Sequence, residues 1–152
     1  MIRHACVCDL NSIYTLICNM EQVELDYHKF KKLFLDILTD EHFFCLVFEI
    51  DNLIIGCLNL RIEYQLHHVS KIAEIMELSV AENYRSCGVG KQLFAMACKI
   101  ANEQGCSQIE VCCNKLRVDA HRFYEREGMK RYHYKFTRKI SRSPMTDNKL
   151  GI

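Results

Sequence analysis

The chain has 152 residues and a mass of 17.9 kDa, the size of one ordinary domain and too short for two comfortable ones. Hydrophobic residues make up 49% and charged residues 26%, which excludes a disordered tail. A net charge of +1 excludes an overall polycation that coats nucleic acid or anionic membrane. From the N-terminus, residues 2–8 read as a short strand, and Asp9 or Asn11 can cap a helix carrying Ile13, Leu16 and Ile17 on one face. A second helix starts near Asp26, because Phe30, Leu33, Phe34, Ile37 and Leu38 recur at helical spacing. The apolar run 43–50 predicts a buried strand, and Asp51-Asn52 turns it into a partner at 53–63. A turn at 65–68 leads to another strand at 71–80. Residues 81–90 are polar. Leu93, Phe94, Ala97, Ile100 and Ala101 then mark an amphipathic helix that Gly105 stops. A strand at 108–113, a helix capped by Asp119 and ended by Gly128, and a final alternating strand at 132–137 complete the pattern. The order β-α-α-β-β-β-α-β-α-β predicts one α/β (mixed α+β) domain at 1–140 with a mixed sheet, followed by a polar tail at 141–152.

Ten cysteines raise the question of a disulfide or metal framework. The start of the chain lacks the apolar segment of a secretion signal, and the longest apolar runs are strand-sized. There is no CxxC pair, and most thiols sit in apolar runs, where cysteine serves as a small hydrophobe. A reducing, cytoplasmic setting without membrane insertion is the expectation. Cys87 is set apart because it precedes a helix beside Arg85, a setting that lowers a thiol pKa.

The segment Arg85-Ser86-Cys87-Gly88-Val89-Gly90-Lys91 lies between a strand end, Leu78-Ser79-Val80, and a helix start. Free backbone N–H groups and the positive helix end there can receive phosphate, and the glycines let the backbone come close to it. A Walker A loop would need Gly-x4-Gly-Lys-Ser/Thr, and a dinucleotide fingerprint a third glycine at 93, where Leu stands. Arg-x-x-Gly-x-Gly after a strand instead resembles the pyrophosphate loop of the GCN5-related N-acetyltransferases (GNAT). That superfamily's later segment is matched by Asn114 and then Ala120, Phe123, Tyr124 and Gly128, with Met129 where Phe is usual. Five further stretches, at 14–18, 24–28, 65–69, 74–78 and 119–124, are similar to the bacterial aminoalkylphosphonate N-acetyltransferases. The similarity runs from about residue 3 to residue 139.

The resemblance implies a mixed, mostly antiparallel sheet flanked by helices, and acetyl-CoA as cosubstrate held by Leu78, Ser79, Val80, residues 85–91 and Asn114. It implies direct transfer to a primary amine, with Tyr124 giving a proton to the departing thiolate; Tyr124 is otherwise an ordinary amphipathic residue of a short helix. An alkylammonium must lose a proton before it attacks, so a base is needed. Glu74 and Glu77 lie three apart on a strand and are expected on opposite faces, so one of them faces the amine, with Glu77 nearer the cofactor end. An acceptor bearing both amine and phosphonate gives roles to Tyr27, His28, His67 and His68, although adjacent loop histidines are also simply solvated groups. The resembled family is associated with divalent-metal dependence, but no cluster has metal-ligand spacing and no ligand is assigned. Small members are often dimers, which implies a homodimer. Two other activities fit the motifs: acetylation of a polyamine, aminoglycoside or peptide amine, and acyl-CoA binding without catalysis. The basic stretch 130–142 could suggest nucleic-acid binding, but its alternation is what a half-buried strand requires, and none is expected.

Overall fold

Residues 43–50 lack polar alternation, so a strand there must be covered on both faces. In the computed structural model, which describes residues 1–140, this is what happens. Strand β2 (Phe43–Ile50) pairs antiparallel with β1 (Ile2–His4) and with β3 (Leu53–Gln65). β3 pairs antiparallel with β4 (Ser70–Val80), and β4 pairs parallel with β5 (Cys106–Val111). The sheet order is β1-β2-β3-β4-β5, mostly antiparallel as expected.

Helices α1 (Leu10–Glu21) and α2 (Tyr27–Thr39) cover one face, with Ile13, Leu16, Ile17 and Phe34 packed on Val47 and Cys57. Helix α3 (Val89–Glu103) covers the other, with Leu93, Phe94, Ala97 and Ile100 on Leu46, Leu58, Leu60 and Ile75. Neighbouring residues such as Leu46 and Val47 thus feed opposite cores, as the strand period requires. Gly56 lies where α3 comes closest to the sheet: a Cβ there would stand 3.0 Å from Val89 Cγ1 and 3.1 Å from Leu93 Cδ1. Helix α4 (Val118–Arg126) follows β5. Among the described residues no helix is long and apolar enough to cross a membrane.

Several boundaries differ from expectation, each for a local reason. The first strand ends at His4, and Val7–Asp9 forms a 3₁₀ turn. The buried Asp9 carboxylate accepts from Arg3 Nη1 (2.7 Å), Arg3 Nη2 (2.9 Å) and the Cys6 amide (2.8 Å), which bends the chain back. The Arg3 bonds hold the Asp9 carboxyl below its ordinary 3.8 against the opposing effect of burial. Asp9→Asn is therefore expected to cost about 2 kcal/mol, seen as a lower urea midpoint at pH 7. That contribution is present above the unfolded value of 3.8 and is lost as pH falls through the lower folded value.

The strand expected at 108–113 ends at Val111, because β4 and β5 separate there. Asp119 stands in the first turn of α4 rather than capping it; Arg117 occupies the cap position. The final strand expected at 132–137 pairs with nothing among the described residues, and every residue from 130 to 140 is exposed. The tail expected at 141–152 lies outside the described residues.

The cysteines are free. Cys57 is buried; Cys18, Cys45, Cys98, Cys106 and Cys113 are half-buried; Cys6, Cys8, Cys87 and Cys112 are exposed. Burial pushes the Cys45 thiol up to about 12, which keeps it an inert apolar filler.

Candidate active site

The last β4–β5 pair is Ile75 with Val111. One residue further, the β3–β4 register shifts: Ile75 pairs with Leu60 and Glu77 with Asn59, which leaves Met76 as an extra residue without a partner. This bulge re-aims the strand. It also overturns the expectation that Glu74 and Glu77 face opposite ways. Asn59 and Arg61 are two apart on β3 and share a face; Asn59 Nδ2 donates to Glu77 Oε2 (3.0 Å) and Arg61 Nη2 to Glu74 Oε2 (2.7 Å). Both glutamates thus lie on the α1–α2 side of the sheet.

Their surroundings differ. Where β4 and β5 part, a cleft of about 460 Å³ opens between Met76–Leu78, residues 112–114, the end of α1 and α4. Glu77 lines it, together with Glu21, Asn114, Arg117 and Tyr124. Burial pushes the Glu77 carboxyl up from 4.5, Glu21 adds to this, and the Asn59 bond pulls the other way. Asn59 Oδ1 is itself buried without a hydrogen-bond partner. Glu74 is not part of the cleft wall; Arg61 holds it together with Glu63.

Tyr124 is placed by aromatic packing, its ring 5.1 Å from Phe123 and 6.4 Å from Phe94. Burial pushes its hydroxyl up to about 12, and Cys113 adds to this while Arg117 opposes it. The group is therefore a protonated donor throughout the neutral range. Asn114 shapes the turn between β5 and α4. Its Oδ1 accepts from the Leu116 amide (2.9 Å) and its carbonyl from the Arg117 amide (3.0 Å), so its Nδ2 is the part left to donate to a ligand. Arg117 Nη2 donates to Met20 O (3.1 Å) and Glu21 Oε1 (2.7 Å), fastening the end of α1 to the start of α4. Sequence reasoning missed Asn59, Glu21 and Arg117. The β3–β4 register could have pointed to Asn59, whereas nothing in the sequence marks the other two.

The turn at 85–91 joins β4 to the start of α3, as its glycines suggest. After a 3₁₀ turn at Glu82–Tyr84, Ser86 (φ 61°) and Gly88 (φ 83°) adopt left-handed conformations, and Gly88 caps α3. The first amides of α3 have no partner within the helix. Arg85 Nε donates to Val80 O (3.2 Å), and Arg85 also lines a second cavity of about 610 Å³ with Cys18, Glu24, Val80 and Glu82. Cys87 and Lys91 are exposed on the turn. Val89 is buried against the sheet, and Gly90 lies under Phe123, 3.6 Å from where a Cβ would stand. Ser79 is buried and donates its hydroxyl to Leu16 O (2.9 Å), while Leu78 and Val80 pack on the α3 core. Gly88→Ala forces an L-residue to a positive φ and is expected to cost about 1–2 kcal/mol, measurable by thermal melting without ligand.

The residues expected at the acceptor end do not line the cleft. Tyr27 donates to Asn11 Oδ1 (2.7 Å) and meets Tyr14 edge-on, with His28 beside it. His67 and His68 lie side by side in a 3₁₀ turn at Leu66–His68, their ring centroids 4.3 Å apart and tilted by 43°, and His68 Nε2 lies 3.6 Å from Glu110 Oε1. That turn is at the opposite end of β4 from the turn at 85–91, about 30 Å along the strand. No cluster of three or more His, Cys, Asp or Glu side chains suited to a metal occurs among the described residues.

Comparison with known proteins adds three findings. The model of the acetyltransferase (GNAT) family matches residues 10–129. The aminoalkylphosphonate N-acetyltransferase of Salmonella typhimurium is 37% identical over 139 residues, which is 91% of this chain and 90% of that enzyme. Among solved structures, a Bacillus halodurans protein described as a transcriptional regulator superposes with a TM-score of 0.85 at 26% identity, covering 92% of this chain and 99% of that one. An Agrobacterium tumefaciens putative acetyltransferase reaches 0.82 at 20% identity over 92% and 99%, a likeness of fold.

Proposed function

The chain belongs to the GNAT acetyltransferase family and is an N-acetyltransferase; from that premise we propose that it acetylates the primary amine of a small aminoalkylphosphonate. The observation that carries this reading is the half-buried carboxyl of Glu77, hydrogen-bonded to Asn59, sharing one cleft with Tyr124 and Arg117. Members of the family use acetyl-CoA, and the residues present suit it. The turn at 85–91 offers unpaired helix-start amides to a pyrophosphate, and the separated strands beyond Ile75 and Val111 leave backbone groups and Asn114 Nδ2 for a pantetheine arm. When bound, the thioester supplies an acyl carbon open to attack by a neutral amine.

Glu77 does the acid–base work. Its raised pKa brings it nearer to that of an alkylammonium than an ordinary carboxylate is, so it takes the amine's proton at a smaller free-energy cost. Glu21 lies beside it and favours a cation in the cleft. Arg117 lines the same cavity and gives the phosphonate of a short aminophosphonate a cationic partner. Tyr124 stays protonated and donates a hydrogen bond to the departing sulfur as the new C–N bond forms and the C–S bond breaks. The Salmonella relative, named for that substrate class, supports the choice of acceptor.

The test is coenzyme A thiol release with a panel of amines, run with and without a chelator. Turnover is expected with short aminoalkylphosphonates. Turnover with polyamines, aminoglycosides or peptides but no aminophosphonate would sink the substrate assignment, and a change on chelation would add a divalent metal. Coenzyme A binding by calorimetry without turnover of any amine would leave an acyl-CoA-binding module.

A further inference from the structure

Two of the stretches set apart in the sequence, 14–18 and 24–28, meet in the structure. Tyr14 and Cys18 lie four apart on α1 and therefore share one face of the helix. Together they grip a single residue of the link to α2. Tyr14 Oη donates to Leu25 O (2.6 Å), and the Leu25 N–H donates to Cys18 Sγ (3.5 Å). The link 22–26, Gln-Val-Glu-Leu-Asp, holds no Gly or Pro that would fix its course. Both main-chain groups of Leu25 are instead satisfied by side chains of the preceding helix, and its position depends on them. Tyr14 is itself wedged edge-on against Tyr27 (5.1 Å between ring centroids) and Phe30 (5.2 Å) of α2.

The grip decides which way Leu25 points. Gln22, Val23 and Glu24 border the cavity beside Arg85. Leu25 alone of the link borders the cleft that holds Glu77, Arg117 and Tyr124. There it is half-buried and joins Ile17 and Met20 of α1 in the apolar part of the wall. An acceptor whose amine reaches Glu77 and whose anionic group reaches Arg117 lays its carbon skeleton against that wall. Such a wall discriminates by size, since one methylene that does not fit costs roughly tenfold or more in kcat/KM.

We propose that Leu25 sets the upper size of the acceptor's carbon skeleton, and that Tyr14 and Cys18 are positioning residues that hold Leu25 in the cleft wall. The inference deepens the acceptor reading above and rests on it, but it concerns the fit of the skeleton and not the identity of the anionic group.

The test is kcat/KM for aminomethylphosphonate and for its homologue with a butyl group on the amine-bearing carbon. The wild type is expected to favour the smaller. Leu25→Ala should raise the ratio of larger to smaller by roughly tenfold or more, with the KM for acetyl-CoA unchanged. Leu25→Val removes less, should shift the ratio the same way by less, and serves if the alanine variant unfolds. Tyr14→Phe keeps the ring contacts but releases Leu25 O, and should shift the ratio by roughly threefold. Cys18→Ala should act likewise, whereas Cys18→Ser, whose hydroxyl still accepts from the Leu25 N–H, should return the ratio toward the wild-type value. A ratio unchanged in the Leu25 variants overturns the proposal, because Leu25 then serves only the core beneath α1 and α2. A ratio moved by the Leu25 variants but not by Tyr14→Phe or Cys18→Ala overturns the positioning roles. If the wild type turns over no aminophosphonate, the acceptor assignment fails by itself, and the ratios are read on the amine that the panel identifies and its butyl homologue. A chain that acetylates no amine overturns both.

Discussion

Glu77→Gln is expected to lower kcat/KM by roughly a hundred- to ten-thousandfold while leaving acetyl-CoA binding unchanged. The amide keeps the shape and can still meet Asn59, but it cannot accept the ammonium proton. In the wild type the rate should fall on the acid side as Glu77 becomes protonated, at a pH above the ordinary carboxylate range because burial raises this group. The variant should lose that limb. Asn59→Ala gives a graded version. The Asn59 bond favours the ionised form, so its removal should push the acid limb to higher pH with a smaller loss at the plateau. Stability runs the other way. A carboxyl whose folded pKa lies above its unfolded 4.5 costs nothing below that pH and costs progressively more as pH rises through the folded value. Glu77→Gln should therefore melt higher than the wild type at neutral pH and lose this advantage in acid. A residue serving structure alone would lower the melting temperature when replaced, so the pair of measurements separates the two roles.

The glycine turn at 85–91 was legible because its geometry is local. Gly88 sits at φ 83° as the cap of α3, and a short glycine pattern between strand and helix carries that information within a few residues. The helix faces were legible for the same reason, since Ile13, Leu16 and Ile17 or Leu93, Phe94 and Ala97 recur at the helical period. The relation of Glu74 to Glu77 was not. Period-two reasoning is sound for an unbroken strand, but the extra residue at Met76 reverses it, and the stretch Glu74-Ile75-Met76-Glu77 carries no Gly, Pro or Asn to announce a bulge. The bond from Arg117 to Glu21 joins residues 96 apart, and no local pattern can foretell it. The side chains expected at the acceptor end show how far sequence proximity carries. His67 and His68 stand out in sequence as neighbours, yet the length of β4 carries them away from the cleft. Residues 132–137 show the same limit: their alternation predicts a strand, yet the segment pairs with nothing among the described residues.

Tyr124→Phe is expected to lower kcat by roughly a hundredfold, the scale of losing one well-placed donor to developing negative charge, with little change in KM. The pKa values decide what kind of help the hydroxyl gives. At about 12 it is a weaker acid by about 3.5 units than a thiol near 8.5, a difference worth about 5 kcal/mol against complete proton transfer. The sequence-based expectation of a proton donor thus becomes a narrower one: the phenol stays protonated and hydrogen-bonds the sulfur as it gains charge. It follows that Tyr124 should put no basic limb on the pH–rate profile below the point where the phenol itself ionises. Stability distinguishes this role from packing. Phe keeps the ring against Phe94 and Phe123, so the melting temperature should hold. Tyr124→Ala removes the ring and should cost about 3 kcal/mol in addition to activity. If Tyr124→Phe retained full kcat, the hydroxyl would have no part in thiolate departure and the ring alone would account for the residue's place in the cleft.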